Sequence, residues 1–284
     1  MKKVKVRPPA QAGAFYAGSE DALKRQIEGC FLHKFGPGSI PKVNLPGQRR
    51  VVSLVCPHAG YMYSGPTAAN GYHQLASDGR PDIFVLIGPN HTGIGSGVSI
   101  MQEGAWRTPL GDVEIDATMA KAIQRSSSYI DIDDSAHLHE HSIEVQLPFL
   151  QYVYGSFKFV PICMMMQDLE VSLDMGQAVA SAVSRKNAAV IASTDLSHYV
   201  AQSIADEKDR LVIDAILKLD EARLQSVVEE HGISMCGYGP TSVAIVAAKK
   251  LGAKDTRLLS YKTSGDITGD FSQVVGYASV VLAK

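Results

Sequence analysis

Short apolar runs rich in β-branched residues recur along this chain: VVSLV at 51–55, DIFVLI at 82–87, GVSIM at 97–101, KFVPIC at 158–163 and AAVIA at 188–192. Stretches of helical period separate most of them, a pattern that predicts an α/β fold with largely parallel strands covered on both faces. Further strands are expected at 257–262 and 273–282. Helices are expected at 20–32, 65–77, 116–126, 141–152, 169–184, 203–218, 220–230 and 240–251, the last with Pro240 in its first turn. The Pro/Gly-rich piece 36-GPGSIPKVNLPG-47 reads as a linker from an N-terminal helical lead-in, residues 1–48, to the first core strand. What precedes it is too short to fold alone, so the expectation is one α/β/α sandwich over 1–284 with a mostly parallel, mixed central sheet.

Composition narrows the function. With 45% hydrophobic and 20% charged residues and a formal net charge of −2, the chain is expected to be soluble and to have no nucleic-acid partner. The basic start at Lys2, Lys3, Lys5 and Arg7 reads as a solvated terminus. No apolar segment approaches the roughly 20 residues that span a bilayer, and no signal-peptide h-region is visible, so no membrane partner and a cytoplasmic location are expected. The four cysteines form no C-x-x-C pair and are expected as free thiols, with Cys30, Cys56 and Cys163 as packing residues. The glycines of 93-GIGSG-97 lack the G-x-G-x-x-G spacing, so no nucleotide cofactor is expected. No G-x-S-x-G elbow occurs, and metal-free hydrolysis would have to recruit Ser64, Ser193 or Ser197 without that support.

Ligands in open α/β sheets bind beyond the carboxyl ends of the strands. Three of the apolar runs end in 56-CPHAGY-61, 88-GPNHTG-93 and 193-STDLSHY-199, and so deliver His58, His91 and His198 there. Each alone could be a loop histidine bonded to nearby backbone; together they point to a shared site. Cys236 lies just before a helix start, where unpaired N–H groups favour a thiolate. A thiolate beside two neutral imidazoles suits Fe(II), Zn or Cu, and a buried structural thiol is the alternative. Asp195, three residues before His198, either orients that imidazole for acid–base work or caps a turn. In 137-HLHEHSIEVQLPFL-150, His141 and Glu144 are expected as pocket groups, and His137 and His139 as solvated. Tyr61, Tyr63, Tyr199, Tyr238 and Asn90, next to or within these segments, are expected to wall the pocket, although packing would explain each tyrosine singly.

Read together, P-H-A-G-Y-x-Y-S-G at 57–65, G-P-N-H at 88–91, E-H-S-I-E at 140–144, S-T-D-L-S-H at 193–198 and C-G-Y-G-P at 236–240 resemble the Memo family, component B of the AmmeMemoRadiSam system. The similarity runs from 10-AQAGAFYAG-18 to 271-FSQVVGYASV-280. It implies the fold of the class III extradiol dioxygenases (LigB-like), whose nonhaem Fe(II) is held by two histidines and a glutamate. Carried across, the resemblance makes His58 and His91 the histidine ligands, puts Cys236 in the place of the carboxylate, and makes His198 the acid–base residue. A thiolate is softer than a carboxylate, so catechol ring cleavage does not follow automatically and Zn or Cu are alternatives to Fe(II). The implied function is a metal-dependent oxidoreductase acting on a small-molecule or peptide-borne substrate. The alternative is a binding module for a peptide or for partner proteins of the AmmeMemoRadiSam system.

Overall fold

Four of the five apolar runs form the middle of one twelve-stranded sheet. In the computed structural model, which describes residues 5–45 and 49–284, β2 (Val51–Cys56), β3 (Ile83–Pro89), β8 (Lys158–Met164) and β9 (Ala188–Ser193) pair in parallel in the order β8-β3-β9-β2. Nearly every residue of these strands is buried. Burying one Val, Leu, Ile or Phe side chain is worth about 1.5–3 kcal/mol, so such runs have no stable place except between two helical layers. The register aligns the carboxyl ends: Cys56 pairs with Ser193, and Ile87 with Ala192. Lys2 and Lys3 of the basic start, and Pro46 and Gly47 at the end of the linker, lie outside the described residues.

The sheet is extended antiparallel by β12 (Val274–Ala283) on β2 and by β11 (Asp255–Thr263) on β12. The short β10 (His198–Val200) pairs with the start of β12. On the other side β6 (Gly111–Ile115) joins β8, β5 (Ala105–Thr108) folds back on β6, and β1 (Val6–Arg7) pairs with β5. A branch, β4 (Val98–Ile100) with β7 (Ile130–Ile132), leaves β8.

Helix α2 (Tyr61–Asp78) covers one face of β2 and β12, with α1 (Glu20–Leu32) and α4 (Leu147–Tyr154) outside it. Helix α8 (Tyr238–Lys250) covers β2, β9 and β3 from the other face, backed by α5 (Leu169–Val183) and α7 (Glu221–Glu230). Helix α3 (Ala117–Ser126) rests on α5, and α6 (Gln202–Leu217) on β11 and β12. Glycine sets the closest approach of α2 to the sheet: a Cβ at Gly71 would lie 2.9 Å from both Cys56 Sγ and Ser279 Oγ. The chain is thus a mixed α/β domain with a large, mostly parallel central sheet flanked by helices. No helix among the described residues is long and apolar enough to cross a membrane.

Two boundaries differ from the expected ones for reasons that matter to the site. Helix α2 begins at Tyr61, not at 65, although Pro66 inside it lacks an N–H. The buried Tyr61, whose hydroxyl donates to Val145 O at 2.6 Å, anchors the extra turn. The helix expected at 141–152 starts as a 3-10 turn at Glu144–Gln146 before α4. His141 therefore sits on irregular chain.

Candidate metal centre

Three neighbouring parallel strands deliver the site. His58 follows β2, His91 follows β3, and 193–198 leaves β9, which lies between them. The structure adds His141 from the irregular segment before α4. The candidate ligand atoms of His58, His91 and His141 all lie within 4.8 Å of one another, with ring centroids 5.2 Å (His58–His91), 5.3 Å (His58–His141) and 4.5 Å (His91–His141) apart.

Hydrogen bonds decide which nitrogen of each ring is free. The Ser193 hydroxyl donates to Ser142 O at 2.6 Å and accepts from Gln146 Nε2 at 2.7 Å. Its one proton is therefore committed, so the 2.8 Å contact with His58 Nδ1 requires that nitrogen to carry the hydrogen. His91 Nδ1 donates to Glu140 Oε1 at 2.9 Å, and His141 Nδ1 lies 3.3 Å from the same oxygen. The Nε2 lone pairs of His91 and His141 are left for a ligand, and a hydrogen-bonding group behind the ring is the usual support of a metal-binding histidine. Among the described residues, neither His91 Nε2 nor His141 Nε2 has a protein hydrogen-bond partner.

Glu140 is fully buried and also accepts the backbone N–H groups of His91 (2.5 Å), His141 (2.8 Å) and Ser142 (2.8 Å). Burial by itself would raise its carboxyl; the His91 hydrogen bond, the two imidazoles and the Ser142 N–H instead hold it at about 2. Burial pushes His58 well below the usual imidazole range, helped by the charges His141, His91 and His198 would carry. It holds His141 at about 4 against the pull of Glu140. These rings are neutral at pH 7, the form that ligates a metal. The donor set fits a divalent transition metal.

Cys236 sits beside this group, its Sγ 3.2 Å from His58 Nε2 and 3.2 Å from the donating Asp195 N–H. The expectation of a thiolate is not met without a cation: burial, then the Asp195 charge, pushes the thiol up. In this state the S–H is the donor toward His58 Nε2. Asp195 and His198 do not pair. The Asp195 carboxylate accepts the His58 backbone N–H at 2.8 Å and is raised to about 6 by burial, while His198 Nδ1 donates to Ser234 O at 2.8 Å. That carbonyl fixes Nδ1 as a protonated nitrogen of His198.

The imidazoles open into a cleft of about 700 Å³, walled by Phe15, Tyr63, Tyr199 and Tyr277 and including Asp195, His198 and Asp270. Among the described residues, no Lys or Arg lines it. Tyr199, 72% exposed, has a left-handed backbone (φ 56) at a bulge in the β10–β12 pairing.

Other residues expected in the pocket are placed elsewhere. Tyr61 is buried in the core. Asn90 closes its own loop, accepting from Thr92 and Gly93 and donating to Ile94 O. Glu144 is buried in an ion pair with Arg7. Tyr238 packs against the core outside the cleft lining. His137, expected in solvent, is fully buried against Trp106 and held at about 4 by burial and by Arg7. Phe15, Asp270 and Tyr277 carry no sequence signal of the site because they reach the cleft from the chain ends, far in sequence from any strand-end histidine. Cys30, Cys56 and Cys163 are buried free thiols.

A family model described as "Memo-like protein" matches residues 7–281. A MEMO1 family protein of Methanothermobacter thermautotrophicus is 54% identical over 275 residues, covering 96% of this chain and 99% of its own length. One from Methanopyrus kandleri is 52% identical, covering 98% and 99%. Among solved structures, an uncharacterized protein from Escherichia coli K12 superposes with a TM-score of 0.52 over 82% of this chain and 99% of its own, at 14% identity, and so shares the fold.

Proposed function

Because the chain belongs to the Memo family, we propose that it is a nonhaem metal-dependent oxidoreductase of the dioxygenase-like kind, with Fe(II) as its working metal. The reading rests above all on three imidazoles whose Nδ1 sides face Ser193 and Glu140 and whose remaining ring nitrogens can serve one ion, that of His58 once the Cys236 proton it accepts has left. His58, His91 and His141 would hold the metal, with Cys236 as a fourth donor once its proton leaves. Such an ion supplies Lewis-acid activation and one-electron chemistry with O2.

The chain's own residues supply the rest. His198, with Nδ1 tied to Ser234, receives a proton at Nε2 from a bound substrate and returns it. Phe15, Tyr63, Tyr199 and Tyr277 favour a flat aromatic ring. The lack of Lys and Arg in the lining disfavours phosphorylated substrates, whose charge would have no partner. The competing reading, a peptide- or protein-binding module, needs neither the metal nor the His198 base.

The test is oxygen consumption by the Fe(II)-loaded protein with a panel of catechols. The expected result is metal-dependent uptake that falls about 10²–10⁴-fold in His198→Ala, while Co(II) affinity stays within about threefold, since His198 is no ligand here. Uptake equal with and without metal, or unchanged in His198→Ala, would overturn the proposal.

A further inference from the structure

We propose that Arg7 is a positioning residue for His141, and that the N-terminal segment 6–17 is the clamp that keeps the third imidazole at the metal centre. The inference rests on the metal-binding reading above. His58 and His91 leave the ends of buried strands, whereas His141 lies on a stretch, 138–143, with no regular backbone pairing of its own.

Arg7 takes over that role. Its guanidinium, 2% exposed and stacked 4.1 Å over Trp106, donates to His137 O at 2.7 Å and Glu140 O at 2.8 Å, and pairs with the Glu144 carboxylate. One planar group thus ties down both ends and the middle of the segment that carries His141, which three point donors of a lysine could not reproduce. Glu144 returns the grip: it accepts the N–H groups of Ala10 (2.8 Å) and Gln11 (2.9 Å) and the Tyr16 hydroxyl (2.6 Å). The same N-terminal stretch places the Phe15 ring 4.7 Å from the His141 ring. An isolated buried ion pair would be weak grounds for a role. Here the pair's remaining hydrogen bonds converge on the backbone around a candidate ligand.

The test is a double-mutant cycle on Co(II) affinity, using the full chain with Arg7→Lys and His141→Ala singly and together. If Arg7 acts through His141, Arg7→Lys weakens Co(II) binding about tenfold or more in the wild-type background and less than about twofold when His141 is already absent. Equal losses in both backgrounds would mean a general structural effect, and no loss in the wild-type background would mean no effect; either overturns the inference. Should Arg7→Lys fail to fold, Glu144→Gln, which keeps the packing and weakens the same grip, runs the same cycle with the same criteria. Wild-type protein that takes up no Co(II) would overturn the metal reading itself, and this inference with it.

Discussion

Replacing Glu140 by Gln tests the support of the metal centre with almost no change in volume. The carboxylate accepts four N–H groups: His91 Nδ1, His141 N and Ser142 N on Oε1, and His91 N on Oε2. A glutamine can keep its carbonyl toward the first three, but its amide then faces the His91 N–H donor to donor. A buried donor left without a partner costs about 1–3 kcal/mol, and losing the charge that backs His91 weakens three remaining bonds by about 0.5–1 kcal/mol each. The expected stability loss is about 2.5–6 kcal/mol, read from urea unfolding of the metal-free protein. Removing a carboxylate behind a ligating histidine typically costs 10–100-fold in metal affinity, read by Co(II) titration against a competing chelator. A variant within about 0.5 kcal/mol of wild type that binds Co(II) equally well would refute the assignment of Glu140 as the support of His91.

Other perturbations have distinct signatures. Ser193→Ala leaves one Gln146 Nε2–H, His58 Nδ1–H and Ser142 O without their partner in the core, the other Gln146 N–H keeping Pro57 O, and is expected to cost about 2–4 kcal/mol, with a rise in Co(II) Kd; urea unfolding and titration check both. Gly71→Ala pushes α2 off Cys56 and Ser279, with an expected loss of about 1–3 kcal/mol that calorimetry would show as a lower Tm. His137 is held near 4 in the fold against an ordinary value of 6.5. The unfolded chain therefore binds the extra proton first, and stability drains away as pH falls from about 6.5 toward 4. His137→Leu should remove about 2 kcal/mol of the loss between pH 7 and pH 5; parallel stability curves for the two proteins would contradict this. Because the Cys236 thiol is protonated without metal, Co(II) uptake should release a proton into unbuffered solution. In Cys236→Ser that release should disappear, and undiminished release would remove the thiol from the coordination set.

The strand-end histidines were legible because a parallel, doubly covered sheet imposes two regularities at once: buried strands read as unbroken apolar runs, and their carboxyl ends are where side chains can converge. His58 and His91 needed only those two facts. In the sequence His141 carries the mark of a pocket group and not of a ligand, because no periodicity marks 138–143 and its place depends on Arg7, more than a hundred residues away. Glu144 misled for the related reason that a carboxylate beside a histidine looks the same in sequence whether it faces a cleft or a buried guanidinium. Tyr61 and the start of α2 were obscured by Pro66, a local stop signal overridden by burial of the tyrosine. The β5–β6 hairpin escaped because its strands are four and five residues long and partly exposed, too short to carry a clear alternation.

The central claim is that His58, His91 and His141 close on one metal ion. Anaerobic Co(II) titration of the purified protein, followed by its visible d–d absorption, tests this directly when run on wild type, His58→Ala, His91→Ala and His141→Ala. The account predicts one ion per chain in the wild type, with each alanine variant at least about tenfold weaker and altered in band shape. Substoichiometric binding in the wild type, or a His141→Ala variant with unchanged affinity and spectrum, would contradict it.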